Sequence, residues 1–312
     1  PLAIMRKYCW TNNESFEAKI QIANYSEASL KEQHVNWKLK KDNGDIFDEG
    51  QIIADLQQGE LTDIATLKSD LSKISKAEKL SLSILLEGTH YQNSYPVWVY
   101  PTDIDTKVPE NILVSEKLDK IIPQLKEGSS VLFFPEFDDV IELSVGGLFT
   151  PDYWNYRMFK GISESIKKPV SPGTLSILTD PLQPLLSDFP TEFHTNWQWW
   201  PIVKNSRPFI LDNTPENYRP LVQVIDNTER NHKLGLIFEF RVGKGRLLVC
   251  MSNLKQIQDK PEGRQFYYSI LRYMSSDKFN PLHQITEKEL TALFSGKILS
   301  KKIDGIRNIS YE

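Results

Sequence analysis

At 312 residues the chain exceeds the size at which one hydrophobic core usually stops growing, so two domains are expected. A composition of 40% hydrophobic and 25% charged residues is that of a globular protein and argues against a disordered or fibrous chain. The formal net charge of −4 gives no basic footprint for nucleic acid, and no apolar stretch reaches the ~20 residues that a membrane-spanning helix needs.

The first hundred residues read as strands. Phe16, Ala18, Ile20 and Ile22 alternate with Glu17, Lys19 and Gln21. Val35, Trp37 and Leu39 do the same, as do Leu80, Leu82, Ile84 and Leu86. This period of two places one face of each strand in a core and the other in water. Asp42-Asn43-Gly44 follows the second run as a tight hairpin turn. Several short strands with turn signals predict an immunoglobulin-like β-sandwich over 1–101. Pro96 and Pro101 bracket residues 97–100, and the polar stretch 102–110 reads as a linker.

From 111 onward the pattern changes. Residues 111–114 form a short apolar strand, Leu118, Ile121, Ile122 and Leu125 recur at helical spacing with Gly128 as a stop, and 131–134 is a buried strand. Pro123 inside the helix implies a kink or two short turns. Strand, helix and strand make a βαβ unit, so 111–312 is expected to be an α/β three-layer domain with a mostly parallel sheet. Further apolar runs occupy 175–178, 208–211 and 221–225, and Gly243-Lys244-Gly245 joins 234–242 to 246–251 as a hairpin. A helix is predicted over 264–275. A last helix starts at Thr286, where Thr286 and Glu289 form a capping box and Ile285 with Leu290 a hydrophobic staple.

Motifs for catalysis are sparse. His34, His90, His194, His232 and His283 lack metal-ligand spacing and there is no Cys-x-x-Cys, so neither metal nor cofactor is expected. Gly243-Lys244-Gly245 is too short for a phosphate loop, and no Gly-x-Ser-x-Gly elbow occurs. Cys250 lies in an apolar run and reads as a buried, inert thiol; with Cys9 it leaves the redox compartment open. Glu136, Asp138 and Asp139 follow a strand, as hydrolytic acids at the carboxyl end of a sheet would, but solvated loop acids look the same. The polar run 226–232, with Asp226 and Arg230, suits sugar hydroxyls or an ordinary polar turn.

Two aromatic segments stand out. In 193–201, His194 and Asn196 precede Trp197, Trp199 and Trp200. Consecutive Trp199 and Trp200 cannot face one side, so at least one needs a second surface. In 149–157, Tyr153, Trp154 and Tyr156 lie beside Arg157. Aromatic faces with amide, acid and guanidinium neighbours suit a saccharide, and equally a domain interface.

Several stretches carry a family resemblance. They include 1–11, 16–26, Gly147-Leu-Phe-Thr-Pro-Asp-Tyr-Trp-Asn-Tyr, Phe189-Pro-Thr-Glu-Phe-His-Thr-Asn-Trp-Gln-Trp-Trp and Val242-Gly-Lys-Gly-Arg-Leu-Leu-Val-Cys. The chain resembles the C-terminal region of bacterial glycoside hydrolase family 2-type proteins, the β-galactosidase relatives. Its second half resembles, in fold, the class I glutamine amidotransferase-like (flavodoxin-like) group without the cysteine elbow. The resemblance implies a periplasmic or secreted exo-glycosidase whose catalytic barrel lies upstream of Pro1. The opening Pro1-Leu2-Ala3, without an initiator Met, reads as an excised segment. The expected role is non-catalytic: supporting the barrel and contacting an oligosaccharide. A hydrolase in its own right, or a structural and homo-oligomerising module, are the alternatives.

Overall fold

The structure, a computed structural model, describes residues 1–146, 156–167, 174–227 and 230–295. Its first strands are β1 (Leu2–Ile4), β2 (Cys9–Thr11), β3 (Ser15–Asn24), β4 (Leu30–Lys41), β5 (Ile46–Leu56), β6 (Glu60–Asp70), β7 (Glu78–Leu86) and β8 (Gln92–Tyr100). They form a three-stranded sheet, β1-β3-β6, and a five-stranded sheet, β2-β8-β7-β4-β5. The predicted alternation is what faces them together. Phe16, Ala18, Ile20 and Ile22 of β3 share one buried cluster with Val35, Leu39, Leu80, Leu82, Ile84 and Leu86 of the other sheet. A β-sandwich results. Gly44, at φ +91°, closes the β4–β5 turn, but Asn43 keeps a negative φ: Gly44 N–H donates to the Lys41 carbonyl and Lys41 N–H to the Asp45 carbonyl, a three-residue loop with glycine in the left-handed position instead of a two-residue Asn-Gly turn. Pro96 does not end its strand: β8 runs through it because β2 pairs β8 only from Trp98 onward. One side of β8 is open there, so the missing N–H costs no ladder bond.

The remaining elements are β9 (Ile112–Ser115), α1 (Leu118–Glu127), β10 (Ser130–Phe133), α2 (Tyr156–Ser165), β11 (Ser176–Thr179), α3 (Trp200–Lys204), β12 (Phe209–Ile210), β13 (Val222–Ile225), β14 (Lys233–Val242), β15 (Gly245–Cys250), α4 (Pro261–Met274), β16 (Gln284–Ile285) and α5 (Glu287–Ser295). The chain forms two compact units interleaved in sequence. The first is Pro1–Lys107 with Asp180–Ile202 and Leu254–Lys278; the second is Val108–Thr179, Val203–Asn253 and Phe279–Glu312. Residues 180–202 and helix α4, read from sequence as parts of the second domain, thus group with the sandwich.

The reason lies in β8. Residues 97–100 are all buried, which a one-faced strand is not. Val97 and Val99 enter the sandwich core. Trp98 and Tyr100 face the other way, where Trp98 Nε1–H donates to the Pro190 carbonyl at 2.9 Å and Tyr100 stacks on Phe189 at 5.9 Å. Helix α4 is tied to the same layer: Gln265 Nε2 donates to the Asp188 carbonyl at 2.6 Å, and Ser269 Oγ donates to the Leu185 carbonyl.

In the second unit the strands run β11-β13-β14-β15-β10-β9, with β12 and β16 also on β14. The expected βαβ unit is present: β9 and β10 pair in parallel across α1, and β10 pairs β15 in parallel. Gly128 ends α1 in the left-handed region at φ 104°, and Pro123 sits inside one continuous helix instead of dividing it. The mostly parallel sheet is a correction. β11–β13, β13–β14, β12–β14 and β14–β15 are antiparallel. For β13–β14 and β14–β15 the connections are too short for a crossover helix, so these pairs must be antiparallel. With α4 grouped elsewhere, α1 and α5 pack on each other, and Phe294 of α5 packs on Phe133 and Phe209. A three-layer amidotransferase-like or flavodoxin-like domain is not supported. The capping box is in place, with Thr286 N–H donating to Glu289 Oε2 at 2.7 Å and Glu289 N–H to Thr286 Oγ1 at 3.1 Å.

Gly245 fixes the approach of α1 to β15, since a Cβ there would lie 2.5 Å from the Leu125 carbonyl oxygen and 2.6 Å from Leu125 Cα. Backbone cannot step aside as a side chain would. Gly245→Ala is expected to cost about 1–3 kcal/mol or more, read as a lower midpoint in thermal unfolding. Gly161→Ala, in open space on α2, is expected to leave the midpoint unchanged or raise it.

Candidate functional site

The aromatic run 193–200 belongs to the first unit, and its local geometry decides which indoles are free. Asn196 starts a 3-10 helix over Trp197–Trp199 by accepting the Trp197 N–H on Oδ1 at 2.8 Å. With about three residues per turn, positions 197 and 200 come into line and 199 falls on another side. Trp199 is 0% exposed, while Trp197 and Trp200 are 55% and 46% exposed. The expectation that the indoles divide between two surfaces holds. Trp199 Nε1–H donates to Thr191 Oγ1 at 2.8 Å, and its ring meets Phe189 and Phe266 edge to face at 5.2 and 5.1 Å. It is a core residue of the layer beneath β8 and unavailable to a ligand.

Trp197 has a partner that sequence reasoning missed. Tyr8 stacks on it with ring centroids 4.9 Å apart and planes within 2°. Tyr8 is fixed because its carbonyl accepts the Trp98 N–H at 2.9 Å. A lone tyrosine 189 positions away gave no local signal.

Glu192 is the polar hub beside this stack. It accepts from Asn196 Nδ2, Lys79 Nζ lies 3.0 Å from its Oε1, and His194 Nε2 lies 3.3 Å from its Oε2. Burial raises its pKa, but the hydrogen bonds from Asn196 and Lys79 and the charges of Lys79 and His194 outweigh that, so its carboxyl stays below the ordinary value. His194 also packs edge-on against Phe193, which is 62% exposed. Exposed rings beside a satisfied, ionised carboxylate and an imidazole make a surface that can stack and hydrogen-bond a polyhydroxylated ring.

Asp226 and Arg230 lie in the second unit and face each other. Arg230 Nη2 and Nε donate to Asp226 Oδ1 at 2.7 and 3.1 Å, and Asp226 also takes the N–H groups of Asn227 and His232. This network shapes the turn between β13 and β14, where the Asp226 side chain is buried. Tyr153 and Trp154 lie outside the described residues. Tyr156 and Arg157 open helix α2.

Of the acids after β10, Glu136 and Asp139 both pair with Lys117, at 2.8 and 3.1 Å, and all three side chains are exposed. Burial pushes the Cys250 thiol up to about 12 and raises Cys9 as well, which leaves both without nucleophilic thiolate at neutral pH. Among the described residues no three His, Cys, Asp or Glu side chains gather as a metal site requires, and no helix is long and apolar enough to cross a membrane.

The division of the indoles sets a clear expectation. Trp199→Ala should destabilise the chain by about 3–5 kcal/mol, as large cavities do. Trp197→Ala should change stability by only about 0.5–1.5 kcal/mol, the scale of one aromatic pair. Denaturant unfolding of the two variants measures the contrast.

Solved structures similar to the chain include glycoside hydrolases and a chaperone–adhesin pilus complex. One is a cycloisomaltooligosaccharide glucanotransferase from Paenibacillus sp. complexed with cycloisomaltoheptaose, at TM-score 0.28 and 10% identity, covering 62% of this chain and 32% of that one. A putative beta-galactosidase from Bacteroides fragilis has TM-score 0.24 and 11% identity, covering 38% and 22%. A beta-glucuronidase from glycoside hydrolase family 2 has TM-score 0.24 and 9% identity, covering 38% and 16%. The chain therefore spans about a third or less of the lengths of these three enzymes, at a likeness too distant to carry an argument. No curated protein matches it. Residues 14–101, most of the sandwich, match a Domain of unknown function (DUF8488). Residues 113–295, more than half of the sequence, match the Domain of unknown function (DUF8487), and the chain belongs to that family.

Proposed function

We propose that the chain is a non-catalytic part of a glycoside hydrolase of the family 2 type, and that it contacts glycan through the exposed aromatics of 193–200. The observation that carries this reading is the Trp197–Tyr8 stack, an indole 55% exposed yet packed face to face on a second ring. An ordered aromatic face gives up little conformational entropy when a sugar ring lies on it. Phe193, His194 and Trp200 extend the polar and aromatic surface around it. The sequence resemblance supports placing a catalytic barrel elsewhere in the same polypeptide, in a periplasmic or secreted enzyme. The exposed acids Glu136 and Asp139, neutralised by Lys117, offer a weaker basis for hydrolysis by this chain itself.

The test is a tryptophan fluorescence titration of the 312-residue chain with neutral and acidic oligosaccharides, repeated on Trp197→Ala. A saturable change, weakened tenfold or more (about 1.4 kcal/mol) in the variant, is expected. A flat response across the panel, or binding that Trp197→Ala leaves intact, would overturn the reading and assign these rings to a protein interface. Trp199 is unsuitable for this purpose, because its loss damages the fold.

A further inference from the structure

A second feature of the sandwich unit lies next to Glu192. The turn after β4 and the loop from β6 to β7 line, with Pro190, an open cleft of about 520 Å³. Four lysines line it: Lys41, Lys73, Lys76 and Lys79. The acids in its wall are Asp42 and Glu78. Lys41 is paired with Glu78 at 3.1 Å, and Lys79 with Glu192 at 3.0 Å and Asp42 at 3.8 Å. Lys73 and Lys76 are exposed and make no salt bridge among the described residues. In a chain with more acids than bases, 41 against 37, such a concentration of ammonium groups around one cavity is not background composition. Asp70 feels the charge of Lys73, so the acids answer part of this charge, and Lys76 adds a further ammonium group. The net positive charge lining one open cleft attracts an anion of suitable size.

Lys79 connects this cavity to the aromatic surface. It leads by its ion pair to Glu192, which is bonded in turn to Asn196, the residue preceding Trp197. A sugar stacked near Trp197 and a charged group in the cavity would thus be neighbours along one continuous set of contacts. The cavity exceeds what a single inorganic anion fills and lies within the size of small-molecule sites.

We propose that the lysine-lined cleft binds the anionic substituent, a carboxylate or sulfate, of an acidic saccharide, with Lys73 and Lys76, the two exposed lysines that make no salt bridge there, supplying most of the attraction. The proposal rests on the saccharide-contacting reading above and deepens it to a substrate class. Lys41 and Lys79, already paired, hold the walls in place and contribute less net attraction.

The experiment is calorimetric titration of the whole chain with trigalacturonate, with its fully methyl-esterified form, and with a sulfated neutral trisaccharide. The same titrations are run on Lys73→Ala/Lys76→Ala, on Lys73→Arg/Lys76→Arg and on Trp197→Ala. Each exposed charge pair is worth well under the strength of a buried one, so the expected preference for an anion over the ester is about tenfold. That preference should vanish in the double alanine variant, persist in the double arginine variant, and shrink as salt is raised. Uronate against sulfate then tells which anion fits better. Equal affinity for acid and ester, or a preference that survives Lys73→Ala/Lys76→Ala, overturns the cavity assignment. If acid and ester bind equally and Trp197→Ala abolishes both, the saccharide reading stands and this inference falls. If the charge preference holds but Trp197→Ala changes nothing, the cavity stands and the stacking face falls. Binding of none of the three overturns both.

Discussion

Strand β8 is buried on both faces from Val97 to Tyr100, and the arrangement of the first unit follows from that. A sandwich of two sheets covers only one face of each strand. Val97 and Val99 are covered by the opposite sheet, but Trp98 and Tyr100 present two large rings on the outer side. Left in water they would forfeit several kcal/mol of burial. The chain covers them with segments brought from far along the sequence. Phe189 stacks on Tyr100, Gln198 Oε1 accepts from the Tyr100 hydroxyl at 2.6 Å, and Phe189, Trp199 and Phe266 of α4 pack together. Trp98 and Gln198 both donate to the Pro190 carbonyl, so their buried polar atoms are partnered in that layer.

This covering layer also makes the candidate site. Once Trp199 is inserted beneath β8, the tight 3-10 turn forces Trp197 and Trp200 outward. Tyr8 is presented to Trp197 because β2 pairs with the same stretch of β8. The exposed aromatic face is therefore a consequence of core packing on its underside. Its support comes from buried neighbours, and its charge from Glu192, Lys79 and His194 at the rim. The lysine-lined cleft shares that rim through Lys79 and Pro190.

Much of the local structure was legible in the sequence. Alternation over 16–22 and 80–86, the Asn43-Gly44 turn, Gly128 as a helix stop and the Thr286–Glu289 box each rest on interactions within a few residues. They appear in the structure where their chemistry puts them. What escaped was non-local. The run Val97-Trp98-Val99-Tyr100 held the signal of a strand covered twice, but nothing in it names Phe189 or α4 as the cover. The antiparallel half of the second sheet was misread because one βαβ unit at 111–134 set the expectation for the later strands, although β13, β14 and β15 follow one another through short turns. Of the three indoles, sequence parity showed that they must divide. Which one turned inward depended on Thr191 and Phe266, 8 and 67 positions from Trp199. Aromatic composition alone, as at Asp226 and Arg230 for polar composition, did not distinguish a residue turned to solvent from one consumed by its own loop.

Trp197 is the proposed ligand face, and Trp199 is its buried anchor. Selective ¹⁵N labelling of the seven tryptophans reports both at once through their indole N–H resonances. On titration with an acidic oligosaccharide, the Trp197 signal should move saturably while the Trp199 signal, hydrogen-bonded to Thr191, stays in place and exchanges slowly. A stationary Trp197 signal, or a Trp199 signal that moves first and exchanges freely with solvent, would contradict that assignment.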